Sequence, residues 1–206
     1  VTVYRGDAAL EFLGDASTAS IQVSQAVSNL TPLRRYCFAI WLRGTAGTSS
    51  GTLTINANTS VNLAAQVRGG AVTITAGTTL TTQGTSTTII GDYSNISITT
   101  NGNIALQADV FLNNTALATG TITINSGSGE LAPSGHIYSN GGAINLSGAS
   151  FRSNATSKAI RTQFGTTLAS GSAGALTMNF TGSVSISGPV TASSATLSSG
   201  SFTTTS

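Results

Sequence analysis

The side chains able to do acid–base chemistry are few in this sequence. Residues 45–206 contain three acids, Asp92, Asp109 and Glu130, together with the one histidine of the chain, His136. Cleavage of a polysaccharide needs two carboxylates, or a carboxylate and a base, held close together on one face. The acids take different positions in the repeat described below, and His136 has no Ser and Asp at a spacing that identifies a catalytic set. We therefore expect no enzymatic activity.

The sequence also contains few side chains that could bind a metal or react as a thiol. One histidine and one cysteine are too few for a structural zinc site. Cys37 lies in the apolar run 36–42, which favours a small buried side chain over a reactive thiol or an intermolecular disulfide. The sequence predicts no metal and no cofactor.

Two groups of residues are candidates for recognition. The longest interval between repeat copies carries three bases and an aromatic residue, and we interpret it as a ligand-contact loop, with a solvated loop as the alternative; its candidate residues are Arg152, Lys158, Arg161 and Phe164. Near the start of the chain, Arg5, Gly6 and Asp7 spell a tripeptide that cell-surface receptors read. A plain turn between two charges is the alternative for this tripeptide.

The composition restricts the classes of partner. The chain has 206 residues, of which 39% are hydrophobic and 7% charged, whereas Ser and Thr together number 63. An ordinary domain is about 25% charged, so hydroxyls must wet this surface. Eight Lys and Arg with a net charge of +2 provide no extended phosphate-binding surface, which argues against nucleic acid. The longest apolar run, 36–42, is far shorter than the roughly 20 residues that span a bilayer.

A short string recurs along the chain and indicates the elements that position these side chains. It reads Gly, any residue, aliphatic, polar, aliphatic, polar, and begins at Gly51, Gly70, Gly120, Gly142 and Gly174, with a copy lacking Gly at Ser94. Such alternation is typical of a half-buried strand. It predicts an inward core column of Ile55, Ile74, Ile98, Ile124, Leu146 and Met178. It also predicts an outward polar ladder of Thr54, Thr73, Ser97, Thr123, Asn145 and Thr177.

Two further aliphatic columns follow each copy. One lies about 8 residues after the first aliphatic position, at Val61, Leu80, Ile104, Leu131, Phe151 and Val184. The other follows in four of the six copies, at Val67, Val110, Ile137 and Val190. Three strands per repeat predict an all-β fold, a parallel β-helix (β-solenoid) with three strands per coil and about 7–9 coils. A β-sandwich is the rival, but it would need hairpins between antiparallel neighbours.

The repeat divides the chain into two segments. Residues 1–44 lack the string and hold seven of the fourteen charges, so we expect an N-terminal capping or first-coil segment. Residues 45–206 form the β-helix repeat domain. Another first-strand copy begins near Thr196, and strand-like sequence continues to Ser206. An uncovered parallel edge is a template for pairing, which predicts either further coils or a second subunit stacked there.

The strings Gly-Thr-Ile-Thr-Ile-Asn-Ser-Gly-Ser-Gly (120–129) and Ser-Asn-Gly-Gly-Ala-Ile-Asn-Leu-Ser-Gly (139–148) resemble the repeats of filamentous-haemagglutinin-type exoproteins. These proteins are surface adhesins of bacterial two-partner secretion. The resemblance covers roughly residues 45–206. It implies a right-handed β-helix, export across an outer membrane, and service as a stalk or adhesive fibre. It brings no catalytic residues.

These observations together predict a secreted or cell-surface β-solenoid with a structural or adhesive role, as a surface fibre, stalk or self-stacking filament subunit. Expected partners are further copies or coils at its end, and surface glycans or neighbouring cells. Two alternatives stay open: a β-helix carbohydrate-active enzyme, and an ice-binding protein that uses the outward Thr rows. Few positions of those rows are Thr in the Thr-x-Thr pattern that an ice-binding face would need, and Thr73 with Thr75 is the best case.

Overall fold

The computed structural model describes residues 51–84, 88–92, 94–112, 120–153, 155–162 and 173–204. Over these residues the fold is all-β, without a helix, and every strand pair is parallel. No helix long and apolar enough to cross a membrane occurs among them. The all-β prediction is confirmed, and the β-sandwich is ruled out because it would need antiparallel neighbours.

The chain winds through three strands per coil. The first three coils consist of β1 (Thr52–Ala57), β2 (Val61–Leu63), β3 (Val67–Gly69), β4 (Ala71–Ala76), β5 (Leu80–Thr82), β6 (Ile89–Gly91), β7 (Ile96–Thr100), β8 (Ile104–Leu106) and β9 (Val110–Leu112). The next coils consist of β10 (Ile122–Asn125), β11 (Glu130–Pro133), β12 (Ile137–Tyr138), β13 (Ile144–Gly148), β14 (Ser150–Arg152), β15 (Ile160–Arg161), β16 (Ala175–Phe180), β17 (Ser183–Ile186) and β18 (Val190–Thr191). Two last strands follow, β19 (Ser194–Ser198) and β20 (Ser201–Thr204).

Equivalent strands of successive coils pair into three sheets. Sheet A has the order β1-β4-β7-β10-β13-β16-β19, sheet B the order β2-β5-β8-β11-β14-β17-β20, and sheet C the order β18-β15-β12-β9-β6-β3. The described residues thus form a β-solenoid of about six turns, with two strands of a further coil. The prediction of three strands per coil is confirmed, whereas 7–9 coils was too many for this part of the chain. The third strands at Ile89 and Ile160 were missed, because loops of unequal length precede them.

The core consists of stacked columns of aliphatic side chains. In sheet A, Ile74 pairs with Ile98 and Ile98 with Ile124, and all three are fully buried. The same column continues to Leu146 and Met178 on one side and to the half-buried Ile55 on the other. Sheets B and C stack their own columns in register, for example Leu131 with Phe151 and Val110 with Ile137. Burial between three sheets is what selects an aliphatic residue at each inward position.

Several hydroxyl side chains point inward at the corners, unlike the outward hydroxyls of the sheet A ladder. Those that are buried are Thr82, Thr100, Ser126, Ser139 and Thr162. Ser126 donates to the carbonyl of Gly129 at 2.9 Å, and Thr162 donates to that of Gly174 at 2.7 Å. Buried backbone groups that leave a strand ladder need a partner, and these hydroxyls supply one at the bends.

Close packing between coils explains the glycines at the corners. A Cβ on Gly174 would lie 2.2 Å from the carbonyl oxygen of Gly142, and one on Gly120 would lie 2.7 Å from that of Ser94. Neither glycine has a positive φ, so a left-handed backbone conformation is not the reason for glycine at these two positions. Each coil runs too close to the next for a side chain to fit between.

The segment 1–44, predicted to cap the solenoid, lies outside the described residues, and its role stays a prediction. The segments 113–119 and 163–172 also lie outside them. Both belong to the intervals between a third strand and the next first strand, where the sequence shows its longest insertions.

Replacing Gly129 by Ala is expected to destabilise the fold by about 1–3 kcal/mol, the usual cost of forcing an atom into packed structure. The new Cβ would lie 2.2 Å from the carbonyl carbon of Gly102 in the preceding coil. Gly84→Asn is the matched control, because Gly84 has a φ of +73° with no atom near its Cβ position and Asn tolerates this conformation. Urea unfolding followed by circular dichroism measures both. A G129A midpoint equal to that of the unmodified protein would contradict the close approach.

Candidate functional site: the outer face of sheet C

Part of the predicted recognition set lies outside the described residues. This holds for the tripeptide Arg5, Gly6 and Asp7, for Phe164 of the predicted loop, and for Cys37. Their roles stay predictions.

Arg152 and Arg161 of the predicted loop lie on different sheets and have different partners. Arg152 lies on β14 in sheet B, where its guanidinium binds Glu130 of the preceding coil at 2.7 and 3.2 Å. The hydrogen bond to Glu130, with the charge of that carboxylate, raises the pKa of Arg152 above its ordinary value. Arg161 lies on β15 in sheet C, and Lys158 precedes that strand. The bases therefore do not act as one group, and Arg152 is already engaged.

The predicted outward ladder lies along sheet A in continuous register. Thr54 pairs with Thr73, Thr73 with Ser97, Ser97 with Thr123, Thr123 with Asn145, and Asn145 with Thr177. These side chains are exposed or half-buried. The ladder mixes hydroxyls with an amide, which makes a neutral hydrogen-bonding surface.

Each described acid of the repeat region has its own partner. The Asp92 carboxylate is 4% exposed and accepts two bonds of 2.8 Å from Arg68 of the preceding coil. Asp109 accepts a 2.8 Å bond from the backbone N–H of His136, and Glu130 binds Arg152. Among the described residues no three His, Cys, Asp or Glu side chains lie close enough together to hold a metal ion. The carboxylates therefore bind within the solenoid, each in a different place.

Sheet C carries an outward row with a different chemistry, which the sequence reasoning missed. Phe111 of β9 pairs with Tyr138 of β12, and Tyr138 pairs with Arg161 of β15. We call these three residues the aromatic–basic row. The guanidinium of Arg161 lies over the Tyr138 ring, 4.3 Å from its centroid. Its Nε is buried and has no hydrogen-bond partner within the structure described. The cation is therefore held by the ring while one of its donors stays unused.

His136 fixes Tyr138, the central residue of this row. Its Nδ1 accepts a 3.0 Å bond from the Ala159 N–H and lies 2.6 Å from the Tyr138 hydroxyl. Because the backbone N–H can only donate, Nδ1 is the acceptor, the tyrosine hydroxyl donates, and the imidazole proton lies on Nε2. The two rings also stack with centroids 4.7 Å apart. His136 therefore orients Tyr138, over which Arg161 lies.

The electrostatics agree with a neutral imidazole. Burial lowers the pKa of His136, and the cations Lys158 and Arg161 lower it further, while Asp109 acts in the opposite direction. Burial raises the pKa of the Tyr138 hydroxyl, with Asp109 adding to the rise and Arg161 opposing it. Near neutral pH both groups are uncharged, so the positive charge at this face comes from Lys158 and Arg161. A surface with two cations, aromatic rings and fixed neutral donors is suited to binding.

The signal for this row was present in the sequence as the alternation in the third strands. Phe111, Tyr138 and Arg161 each directly follow an inward aliphatic residue, Val110, Ile137 and Ile160. Ile160 does not stand out as a strand position in the sequence, because it lies within the longest interval between repeat copies, from Phe151 to Leu176. Aligning Ile160 with Ile137 would have placed Arg161 beside Tyr138.

Arg68→Met is expected to lower the free energy of unfolding by about 1–2 kcal/mol, because the Asp92 carboxylate loses two charged hydrogen bonds while it stays buried. The guanidinium side of this pair is 46% exposed, and screening by water keeps the loss small. Arg152→Met removes the same charge from an exposed pair and should change stability less. Chemical denaturation of both variants measures the difference, and equal losses would contradict a special role for the buried carboxylate.

Acidification is expected to destabilise the protein through His136. In the unfolded chain this histidine titrates near its ordinary pKa of 6.5, whereas the pKa in the folded chain is lower. Between the two values the unfolded state binds more protons, so the free energy of unfolding falls as the pH drops through that window. Because the chain has one histidine, His136→Gln should flatten the profile between pH 8 and pH 5.5 in urea titrations. A profile that stays steep in the variant would contradict this assignment.

The comparisons with known proteins do not name a family. No protein-family model, no curated protein and no solved structure matches this chain. The similarity to filamentous-haemagglutinin-type repeats therefore depends on the quoted strings and on their fit to a three-strand solenoid.

Proposed function

We propose that this chain is an extracellular structural or adhesive β-solenoid, which serves as a surface fibre, a stalk or a filament subunit that stacks end to end. The proposal is supported by the in-register columns that run through the whole described stack and by the resemblance of its strings to exoprotein repeats. The observation that carries it is the continuous stacking of equivalent strands into three parallel sheets.

The last coil leaves core-facing side chains in contact with solvent. Val190 is 39% exposed, Leu197 40% and Phe202 51%, although their counterparts one coil earlier are buried. They line an open apolar cavity of about 290 Å³ together with Leu176, Met178 and Ile186. Among the described strands, β19 pairs with β16 alone and β20 with β17 alone. An exposed apolar surface beside unpaired strand edges is a site for association.

We propose that a further coil covers this face, either a later coil of a longer chain or a coil of a second copy that stacks end to end. Leu197 continues to this face the inward column of sheet A that runs from Ile55 to Met178. A copy stacked there would extend all three sheets and each aliphatic column. Neutral hydroxyl ladders suit such stacking, because stacked like charges would repel.

The proposal is non-enzymatic and places the protein outside the cell. Support for the first point comes from Asp92, Asp109 and Glu130, which bind different partners at different positions and so do not form the close carboxylate pair of a glycosidase. Support for the second comes from a surface wetted by Ser and Thr and from the exoprotein resemblance. Antibody labelling of intact source cells tests the location, and labelling that requires permeabilised cells would contradict it.

Stacking predicts concentration-dependent association. Sedimentation velocity should show species larger than the monomer at high protein concentration, and Phe202→Glu or Leu197→Lys should abolish them, because each places a charge on the apolar face of the last coil.

Thr123→Glu is the matched control for these variants. It adds a charge in the middle of the outward ladder of sheet A, away from both ends, and should leave association unchanged. A strictly monomeric protein at all concentrations, or equal loss in T123E and F202E, would contradict end-to-end stacking.

A further inference from the structure

We propose that the aromatic–basic row of Phe111, Tyr138 and Arg161, together with Lys158, binds a carboxylate-bearing saccharide such as a uronate oligomer. This names a ligand class for the adhesive part of the proposed function and rests on it. It does not depend on stacking, because the row lies on the side of the solenoid and not at its end.

This face of the solenoid differs from the others in its balance of charged side chains. The described bases are Arg68, Lys158, Arg152 and Arg161, and the ion pairs among described residues are Arg68 with Asp92 and Arg152 with Glu130. Lys158 precedes β15, the strand that carries Arg161, and the charges of both bases lower the pKa of His136. Asp109, whose Oδ1 accepts a bond from the backbone N–H of His136, is the described acid that acts on this group, so two cations stand against one carboxylate. The face therefore keeps an excess of positive charge.

Arg161 is prepared to receive an anion. Its guanidinium is oriented by the Tyr138 ring at 4.3 Å, and Tyr138 is itself oriented by its bond to His136. A planar guanidinium binds a carboxylate with two parallel bonds. Because the orienting contacts exist already, little side-chain freedom is lost on binding.

The shape of the face favours a sugar over other anions. Successive coils lie about 4.8 Å apart, so the row is about 10 Å long, enough for more than one ring of an extended saccharide. Phe111 continues the row beside Tyr138 and offers an apolar surface to the C–H face of a sugar ring, while Arg161 meets its carboxylate. Two cations are too few for the many phosphate contacts that nucleic-acid binding requires.

Isothermal titration calorimetry with oligogalacturonate tests the proposal. The unmodified protein should bind it and should not bind a neutral galactan oligomer of the same length. Arg161→Met should weaken binding at least tenfold, Lys158→Met and Phe111→Ala should each weaken it severalfold, and Arg161→Lys should fall between the unmodified protein and Arg161→Met. The control Arg152→Met removes an equal charge from sheet B and should change affinity less than twofold. Thermal melting shows that each variant is folded.

Several results would overturn the inference. Equal affinity for the neutral galactan would show that charge does not contribute to binding. Equal weakening by Arg152→Met and Arg161→Met would show that binding does not depend on this face. If hexaglutamate binds as tightly as oligogalacturonate, the ligand class is an acidic peptide and the saccharide proposal is wrong. If sulfated dextran oligomers bind more tightly, the group recognised is a sulfate and not a carboxylate. If the protein is monomeric but binds oligogalacturonate, the saccharide site is supported and end-to-end stacking is contradicted. If it associates but binds no saccharide, stacking is supported and the saccharide site is contradicted.

Discussion

Parallel pairing of each coil with the next is the interaction on which the rest of this structure depends. A spacing of about 4.8 Å between coils places equivalent residues of successive coils directly above one another. An inward isoleucine is then covered by the isoleucine of the next coil, as Ile98 is by Ile74 and Ile124. The same spacing repeats any charge along a ladder, which explains why so large a share of the surface is neutral Ser, Thr and Asn.

Regular stacking requires particular residues at the corners. At each bend the backbone leaves the ladder, so its polar groups need other partners, and inward hydroxyls such as Ser126 and Thr162 provide them. Successive bends also touch, and there the approach of a carbonyl such as that of Gly142 leaves room for Gly174 but not for a Cβ. The high content of Ser, Thr and Gly thus has two structural causes, neutral ladders on the faces and tight bends between them.

The charged groups follow a different rule from the ladders. Asp92 with Arg68 and Glu130 with Arg152 join neighbouring coils as ion pairs, so these charges are compensated where they stand. On sheet C the order Phe111, Tyr138, Arg161 breaks the neutral pattern, and His136 holds its tyrosine in place. A regular scaffold makes such a departure visible, since nothing in the stacking itself requires an aromatic ring or an unpaired guanidinium there.

Local alternation that repeats in every copy is enough to predict the strand period, the inward and outward positions, three strands per coil and the parallel solenoid. Contacts between distant residues set the rest, namely the number of coils, the third strands at Ile89 and Ile160, and the partners of each charge. His136 and Ala159 meet across 23 residues, and insertions of unequal length lie between such residues. Backbone pairing therefore determines which residues are neighbours across coils, and their separation along the sequence does not predict it.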